Sequence, residues 1–211
     1  MAEGAVPAAP SAGATGFRSI GELAELCGHY CWLERRIFEL TGNRASGPAT
    51  GHPERGDEAG DAEIRVVLSQ MSVRHGFFAA QWRERLPVRA GVDAEAFITP
   101  PPGPSDEVLD LVQSEPRLAL VLGGLALQFL PRLLGSYELT LAQASPVSEA
   151  PVRAVLEWAA YSTGSEIRDA GDLLNRLGPT GQRDGSVGSF TARLQLLLGS
   201  GADTFPGARA S

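Results

Sequence analysis

Lysine is absent from this 211-residue chain, and all 18 of its basic residues are arginine. The 25 acidic residues outnumber them, which gives a formal net charge of −7. Proteins that bind nucleic acids need a clustered positive surface for the phosphate backbone, so this balance argues against a nucleic-acid partner. Arginine without lysine, together with abundant alanine and glycine, suggests a GC-rich bacterial genome and says nothing about mechanism.

Cysteine is also scarce, since Cys27 and Cys31 are the only two in the chain. They lie four residues apart on one predicted helix. A helix holds the Cα atoms of such a pair near the upper limit for a disulfide and aims the side chains poorly. We therefore expect two reduced thiols, as in a cytoplasmic protein.

No segment has the pattern of a signal peptide or a membrane span. Residues 1–18 lack both a basic start and an apolar run, and their Ala, Gly and Pro content predicts a disordered tail. The most apolar stretch, Leu118 to Leu134, is interrupted near its end by Pro131 and Arg132, which favours a buried bundle helix. The expected location is the cytoplasm, with no membrane partner.

The alternating patterns of β-strands are missing, and the predicted fold is all-α. Apolar residues recur at steps of three and four, in segments that Gly- and Pro-rich stretches separate. The predicted long helices cover residues 19–41, 61–86, 116–144 and 148–177, with a short helix at 189–198 and a kink at Pro131. This pattern predicts one four-helix bundle over residues 19–199, including the short extra C-terminal helix, and a flexible tail at 200–211.

Three ionisable residues interrupt the apolar faces of the predicted helices: Glu34 on the first, His75 on the second and Glu166 on the fourth. Residues at this spacing point the same way, so the three side chains should converge inside the bundle. Burying an unpaired charge costs roughly several kcal/mol, so such groups are usually paired, protonated, metal-bound or next to a cavity. The sequence therefore predicts a catalytic site at these three residues. The side chains expected to bind a substrate there are Tyr30, Ser72, Phe78, Trp82, Tyr137 and Ser162.

The second predicted helix carries a short motif that resembles a known family. It runs from His75 to Pro87 and ends in Trp-Arg-Glu-Arg-Leu-Pro. Over roughly residues 19–178 the chain is similar to uncharacterised actinobacterial proteins of the ferritin-like superfamily. The resemblance implies a lengthwise crossover between the second and third long helices. It also implies a di-iron site with one Glu from each of two helices and a Glu-x-x-His pair from each of the others.

The ligand set implied by this resemblance is incomplete in the chain. The positions that match family ligands are Glu34, His75, Glu138 and Glu166. Ser72 and Asp169 stand where the family has a Glu and a His. Because one bridging carboxylate and one imidazole are missing, no cofactor is predicted, and iron is the alternative.

Three interpretations of function follow from these residues. In the first, the bundle interior binds or transforms a small organic molecule by acid/base chemistry, in bacterial secondary metabolism. The second is a non-haem iron oxidoreductase with one or two iron atoms, and the third is a non-catalytic structural or interaction bundle. Whether the chain is an enzyme stays open. The expected partners are a small-molecule ligand and a second copy of the chain in a homodimer.

Overall fold

The computed structural model describes residues 18–47, 58–88, 90–177, 186–199 and 205–206, and every regular element within them is helical. The elements are α1 (Ile20–Ser46), α2 (Glu58–Arg83), a 3-10 turn (Ala94–Phe97), α3 (Ser105–Ser114), α4 (Leu118–Gly124), a π turn (Leu125–Phe129), α5 (Leu130–Gln143), α6 (Ala150–Leu177) and α7 (Ser186–Leu198). No strand occurs in these ranges, and the all-α prediction is confirmed.

The first helix begins where the sequence predicts and ends later. Ser19 and Glu22 form a reciprocal capping box, in which each side chain accepts a hydrogen bond from the other residue's backbone N–H. The predicted end near Gly42 is wrong, because α1 continues to Ser46. The guanidinium of Arg65 donates to the carbonyls of Ala45 and Gly47, which satisfies acceptors that a helix end otherwise leaves free.

Pro131 lies just after a π turn in the third long helix. Proline cannot donate a backbone hydrogen bond, and the chain accommodates it with a wider turn in which the Leu130 N–H bonds to the Leu125 carbonyl. The helix runs without a break over Leu118–Gln143, close to the predicted range of 116–144, and the kink at Pro131 stays a prediction. This segment is long and apolar enough to cross a membrane, and 61% of its apolar window is buried inside the protein.

Contacts between side chains fix the directions of the long helices. On α1 and α2, Phe38 meets Ser72 while Cys31 meets Ala79, so these helices are antiparallel. On α2 and α6, Glu63 meets Arg176 and Phe77 meets Trp158, which again requires antiparallel directions. The pairs Tyr30–Thr140 and Glu34–Tyr137 make α5 antiparallel to α1.

It follows that α2 and the α4–α5 helix run parallel, which no short loop can connect. The connection is a lengthwise crossover that includes the 3-10 turn and α3 and packs along α1. Two ion pairs, Arg35–Glu95 and Arg36–Asp110, join the crossover to α1. The crossover places α2 beside α6, which brings His75 and Glu166 together.

Short segments near both ends of the chain are buried, although they lie within the predicted tails. Arg18 pairs with Glu149 at 2.8 Å, and both side chains are almost fully buried. Phe205 packs edge-on against Phe129, and the carbonyl of Pro206 accepts a hydrogen bond from Tyr30. The other residues of the predicted tails, 1–17, 200–204 and 207–211, lie outside the described residues.

Candidate functional site

The three ionisable residues singled out by the sequence meet at one place in the bundle interior. Glu34, His75 and Glu166 come from α1, α2 and α6, and all three are buried. The imidazole of His75 lies between the two carboxylates. Its Nδ1 hydrogen-bonds Oε2 of Glu34, and its Nε2 lies 3.2 Å from Oε2 of Glu166.

This position between two acids decides the charge of the imidazole. Burial by itself lowers the pKa of His75, but the charges of Glu166 and Glu34, together with their hydrogen bonds, outweigh it and raise the pKa to about 10. His75 is therefore an imidazolium at neutral pH. Its Nδ1–H donates to Glu34, and its Nε2 lies within ion-pair distance of Glu166, so the ring links the two carboxylates.

The inner end of the cluster is a layer of three aromatic rings. The Tyr137 hydroxyl donates to Oε1 of Glu34. Burial, followed by the negative charge of Glu34, raises the pKa of Tyr137 well above its ordinary value. The Tyr30 ring lies 4.8 Å from both Tyr137 and Trp82, and all three side chains are fully buried. The layer is therefore closely packed.

Tyr30 is anchored by polar groups on the opposite side from the acids. Its hydroxyl lies 2.7 Å from the Thr140 hydroxyl and 2.8 Å from that of Ser136, and it also donates to the Pro206 carbonyl. Burial raises the pKa of Tyr30 above its ordinary value. Tyr30 therefore remains a neutral phenol that holds the C-terminal segment against α5.

The outer end of the cluster reaches the surface at Arg74, where α2 meets α6. The guanidinium lies 3.5 Å from Oε1 of Glu166, and 37% of the Arg74 side chain is exposed. Among the described residues, neither Oε1 of Glu166 nor Nε2 of His75 completes an aligned hydrogen bond, although both lie within ion-pair distance of a partner. Two buried polar atoms with unused hydrogen-bonding capacity thus lie directly beneath a half-exposed arginine.

The other predicted site residues lie at varying distances from the cluster. Ser72 is buried but donates to the Phe38 carbonyl, so it joins α1 to α2. Phe78 is buried and its ring contacts Phe77 and Trp158. Ser162 is half-buried on α6, one turn before Glu166. None of these three shows a contact with the acids.

Glu138 does not join the cluster, because its side chain is exposed. Tyr137, the residue before it on α5, faces the interior instead and is fully buried. Asp169 is exposed as well. Arg74, by contrast, is not among the site residues predicted from the sequence. The only sequence feature that points to it is its position next to His75, on the side of α2 that faces α6.

The donor atoms present do not fit a metal ion. His75 directs one nitrogen to Glu34 and the other to Glu166, so the two carboxylates lie on opposite sides of the ring and share no coordination point. Glu34 is also engaged by the Tyr137 hydroxyl. In the part of the chain that the structure describes, no group of three or more His, Cys, Asp or Glu side chains could hold a metal.

The comparisons with known proteins found no match, so the interpretation of this site rests on its geometry. No family model, no curated protein and no solved structure matches this chain.

Proposed function

We propose that this protein is a ferritin-like bundle that uses Glu166 and His75 for acid/base chemistry on a small organic molecule, without a metal. The observation that carries the proposal is the continuous series of contacts from the buried Tyr137 hydroxyl, through Glu34, His75 and Glu166, to the half-exposed Arg74. Charged groups kept in a core usually serve function rather than stability, because apolar side chains of similar volume are cheaper to bury.

The ferritin-like part of the proposal is supported by helix directions. Parallel α2 and α4–α5 joined by a lengthwise crossover form the arrangement that the resemblance implies. Glu34 and Glu166 on α1 and α6, with His75 on α2, also occupy the matching interior positions. The missing second imidazole and the exposed Glu138 explain why such a bundle would have lost its metals.

The chemical part assigns a role to each member of the cluster. Glu166, whose Oε1 faces Arg74, accepts a proton from the substrate. The His75 imidazolium donates a proton from Nε2 to another atom of the same molecule, so the proton balance of the protein is unchanged. Glu34, held by Tyr137, keeps the imidazole oriented and compensates its charge. Isomerisation, elimination and cyclisation are reactions of this class.

The substrate would enter where α2 meets α6, since this is the exposed end of the cluster. Arg74 swings away from Glu166 or binds the substrate itself, and a 3.5 Å contact at a half-exposed side chain costs little to break. The exposed Trp158 provides apolar surface beside this opening, and the buried Phe78 packs edge-on against its ring.

A non-catalytic bundle is the second candidate function. The balance of positive and negative charges within the buried cluster favours it. With His75 and Arg74 positive and Glu34 and Glu166 negative, the cluster has no net charge. A neutral, mutually paired set of groups needs no ligand to remain folded.

Incubation with a bacterial metabolite extract, followed by mass spectrometry, separates the two candidates. The comparison uses wild type, Glu166→Gln and the control Glu157→Gln, which changes an exposed acid on the same helix. A metabolite retained or converted by wild type and by the control, and not by Glu166→Gln, supports the acid/base proposal. Identical behaviour of all three proteins supports the structural bundle.

A further inference from the structure

The opening above the buried cluster, where α2 meets α6, combines a cation with an aromatic surface. Arg74 lies on α2 beside Glu166 and is half-exposed. Phe77 follows three residues later on the same helix and is exposed as well. Its ring lies 4.7 Å from that of Trp158 on α6, which is 54% exposed. A charged and an apolar contact surface therefore lie about one helical turn apart.

The guanidinium of Arg74 has donors that its ion pair leaves unused. It approaches Glu166 through Nη1 at 3.5 Å, and among the described residues its Nε and Nη2 contact no acceptor. An arginine carries five N–H donors in a rigid plane, and the edge formed by two of its nitrogens matches the two oxygens of a carboxylate. Arg74 can therefore remain paired with Glu166 and still bind an anion through Nε and Nη2.

Two buried atoms beneath Arg74 have unused hydrogen-bonding capacity. Oε1 of Glu166 and Nε2 of His75 complete no aligned hydrogen bond with the described residues, although both lie within ion-pair distance of a partner. Buried polar atoms are nearly always satisfied, so such atoms below an opening indicate a place for the polar groups of a ligand. This observation is independent of the donors on Arg74.

Trp158 is held in place at the surface by other aromatic rings. The buried Phe78 meets its ring edge-on at 5.7 Å, and Phe77 packs against it as well. A large aromatic side chain supported in this way offers a planar ring a surface on which to stack. On α6, Trp158, Ser162 and Glu166 follow each other at steps of four, so the indole lies on the same side of the helix as the carboxylate of Glu166.

We propose that this opening binds a small aromatic carboxylate, an inference that names the substrate class of the acid/base site and rests on the proposed function. The carboxylate of the ligand pairs with Nε and Nη2 of Arg74, and its aromatic ring stacks on Trp158. The atoms next to the ligand carboxylate then lie nearest Oε1 of Glu166 and Nε2 of His75, the two groups to which proton transfer is assigned.

Other classes of ligand fit the opening less well. Arg74 repels a cationic ligand, and a neutral hydrocarbon leaves the N–H donors of Arg74 without an acceptor. A phosphate monoester brings up to about two negative charges next to Glu166, whereas a carboxylate brings one. An aromatic carboxylate uses both the guanidinium and the indole.

Isothermal titration calorimetry with cinnamate and with its neutral amide, cinnamamide, tests the requirement for a carboxylate. We expect saturable binding of cinnamate to wild type, and a dissociation constant at least about tenfold higher for cinnamamide. Arg74→Gln should weaken the binding of cinnamate by a similar factor. Arg176→Gln is the matched control, because Arg176 also joins α6 to α2 through a loose ion pair, at 3.6 Å from Glu63. An unchanged melting temperature in both variants excludes misfolding as the cause.

Replacement of the indole tests the aromatic half of the site. Trp158→Ala should weaken the binding of cinnamate, because the ring of the ligand loses its stacking surface. Tyr161→Ala is the control, since Tyr161 is an exposed aromatic residue on the same helix. Equal weakening by the two variants would contradict the assignment of Trp158.

The Glu166→Gln variant separates this inference from the proposed function. It should still bind cinnamate, since Arg74 and Trp158 remain, while it loses the retention or conversion of metabolites. Equal affinities for cinnamate and cinnamamide, no saturable binding of cinnamate, or wild-type affinity in Arg74→Gln would each overturn the substrate class. None of these outcomes alters the metabolite comparison, which tests the proposed function by itself.

Discussion

Nε2 of His75 and Oε2 of Glu166 lie 3.2 Å apart across the interface of α2 and α6, which makes this contact the centre of an alternating series of charges. Glu34 is negative, His75 positive, Glu166 negative and Arg74 positive. Each charge has an opposite neighbour, so the free energy of burying any one of them depends on the others. Removing one member should therefore cost more than removing several together.

The pH dependence of stability should reveal the buried imidazolium. The pKa of His75 rises from an ordinary 6.5 to about 10 in the folded protein, so the folded state keeps a proton that the unfolded state loses. Its stabilising contribution is complete below the unfolded pKa and disappears as pH rises through the folded one. Between about pH 7 and pH 9 the free energy of unfolding should fall by about 1.4 kcal/mol per pH unit.

Urea denaturation across that pH range measures this slope. The lower part of the range, up to about pH 8, isolates His75. Burial raises the pKa of Cys27 from 9.0 to about 12 and that of Cys31 from 9.0 to about 11, so above about pH 8 the thiols ionise in the unfolded state alone and add to the slope. The His75→Gln variant should show a flatter profile than wild type. Equal slopes in the two proteins would show that His75 is not a buried cation.

A single replacement of His75 by Leu should be severely destabilising. It leaves Glu34 and Glu166 buried without the cation between them, and breaking a buried ion pair costs about 3–5 kcal/mol. Chemical denaturation at neutral pH provides the measurement. A loss below about 1 kcal/mol would mean that the two acids find other partners, which the cluster geometry does not offer.

The interior positions of α1 and α2 could be predicted from the sequence because both helices keep an unbroken period. On α2, Ile64, Leu68, Met71, His75, Phe78 and Trp82 follow each other at steps of three and four, and all are buried. Glu34 occupies the equivalent place on α1. Periodicity alone was enough to predict that Glu34 and His75 share the interior.

The interior positions of the third long helix could not be predicted from periodicity. The π turn at Leu125–Phe129 adds a residue to one turn, which rotates every later side chain relative to an ideal helix. The pattern before Pro131 therefore does not determine whether Tyr137 or Glu138 faces inward. Nor does local sequence predict that Pro206, 176 residues away in the chain, accepts a hydrogen bond from Tyr30.

Tyr137→Phe should isolate the contribution of the inner end of the cluster. The change leaves Oε1 of Glu34 buried without its donor, which costs about 1–3 kcal/mol. Tyr161→Phe is the matched control because Tyr161 is exposed, and its effect should stay within about 0.5 kcal/mol. Thermal and urea denaturation of both variants give the comparison, and equal stabilities would remove Tyr137 from the cluster.

Metal content should be low in protein purified without chelators. His75 directs one nitrogen towards Glu34 and the other towards Glu166, so we expect fewer than two tightly bound iron atoms per chain. Elemental analysis measures this directly, and thermal denaturation with added iron(II), manganese(II) or zinc(II) should show no stabilisation. Two equivalents of iron with a di-iron absorption band would instead support the oxidoreductase alternative.

Simultaneous replacement of the buried polar groups separates an enzyme from a structural bundle most directly. Glu34→Met, His75→Leu and Glu166→Met preserve volume and remove the cost of burying charge, and Tyr137→Phe avoids an orphaned hydroxyl. We expect this variant to be at least as stable as wild type and to lose the retention or conversion of metabolites tested with Glu166→Gln. A variant that keeps its stability and still retains or converts the same metabolites would contradict the hypothesis of a functional site. A loss of several kcal/mol, roughly, would show that the four groups form a structural network whose mutual interactions exceed their burial cost.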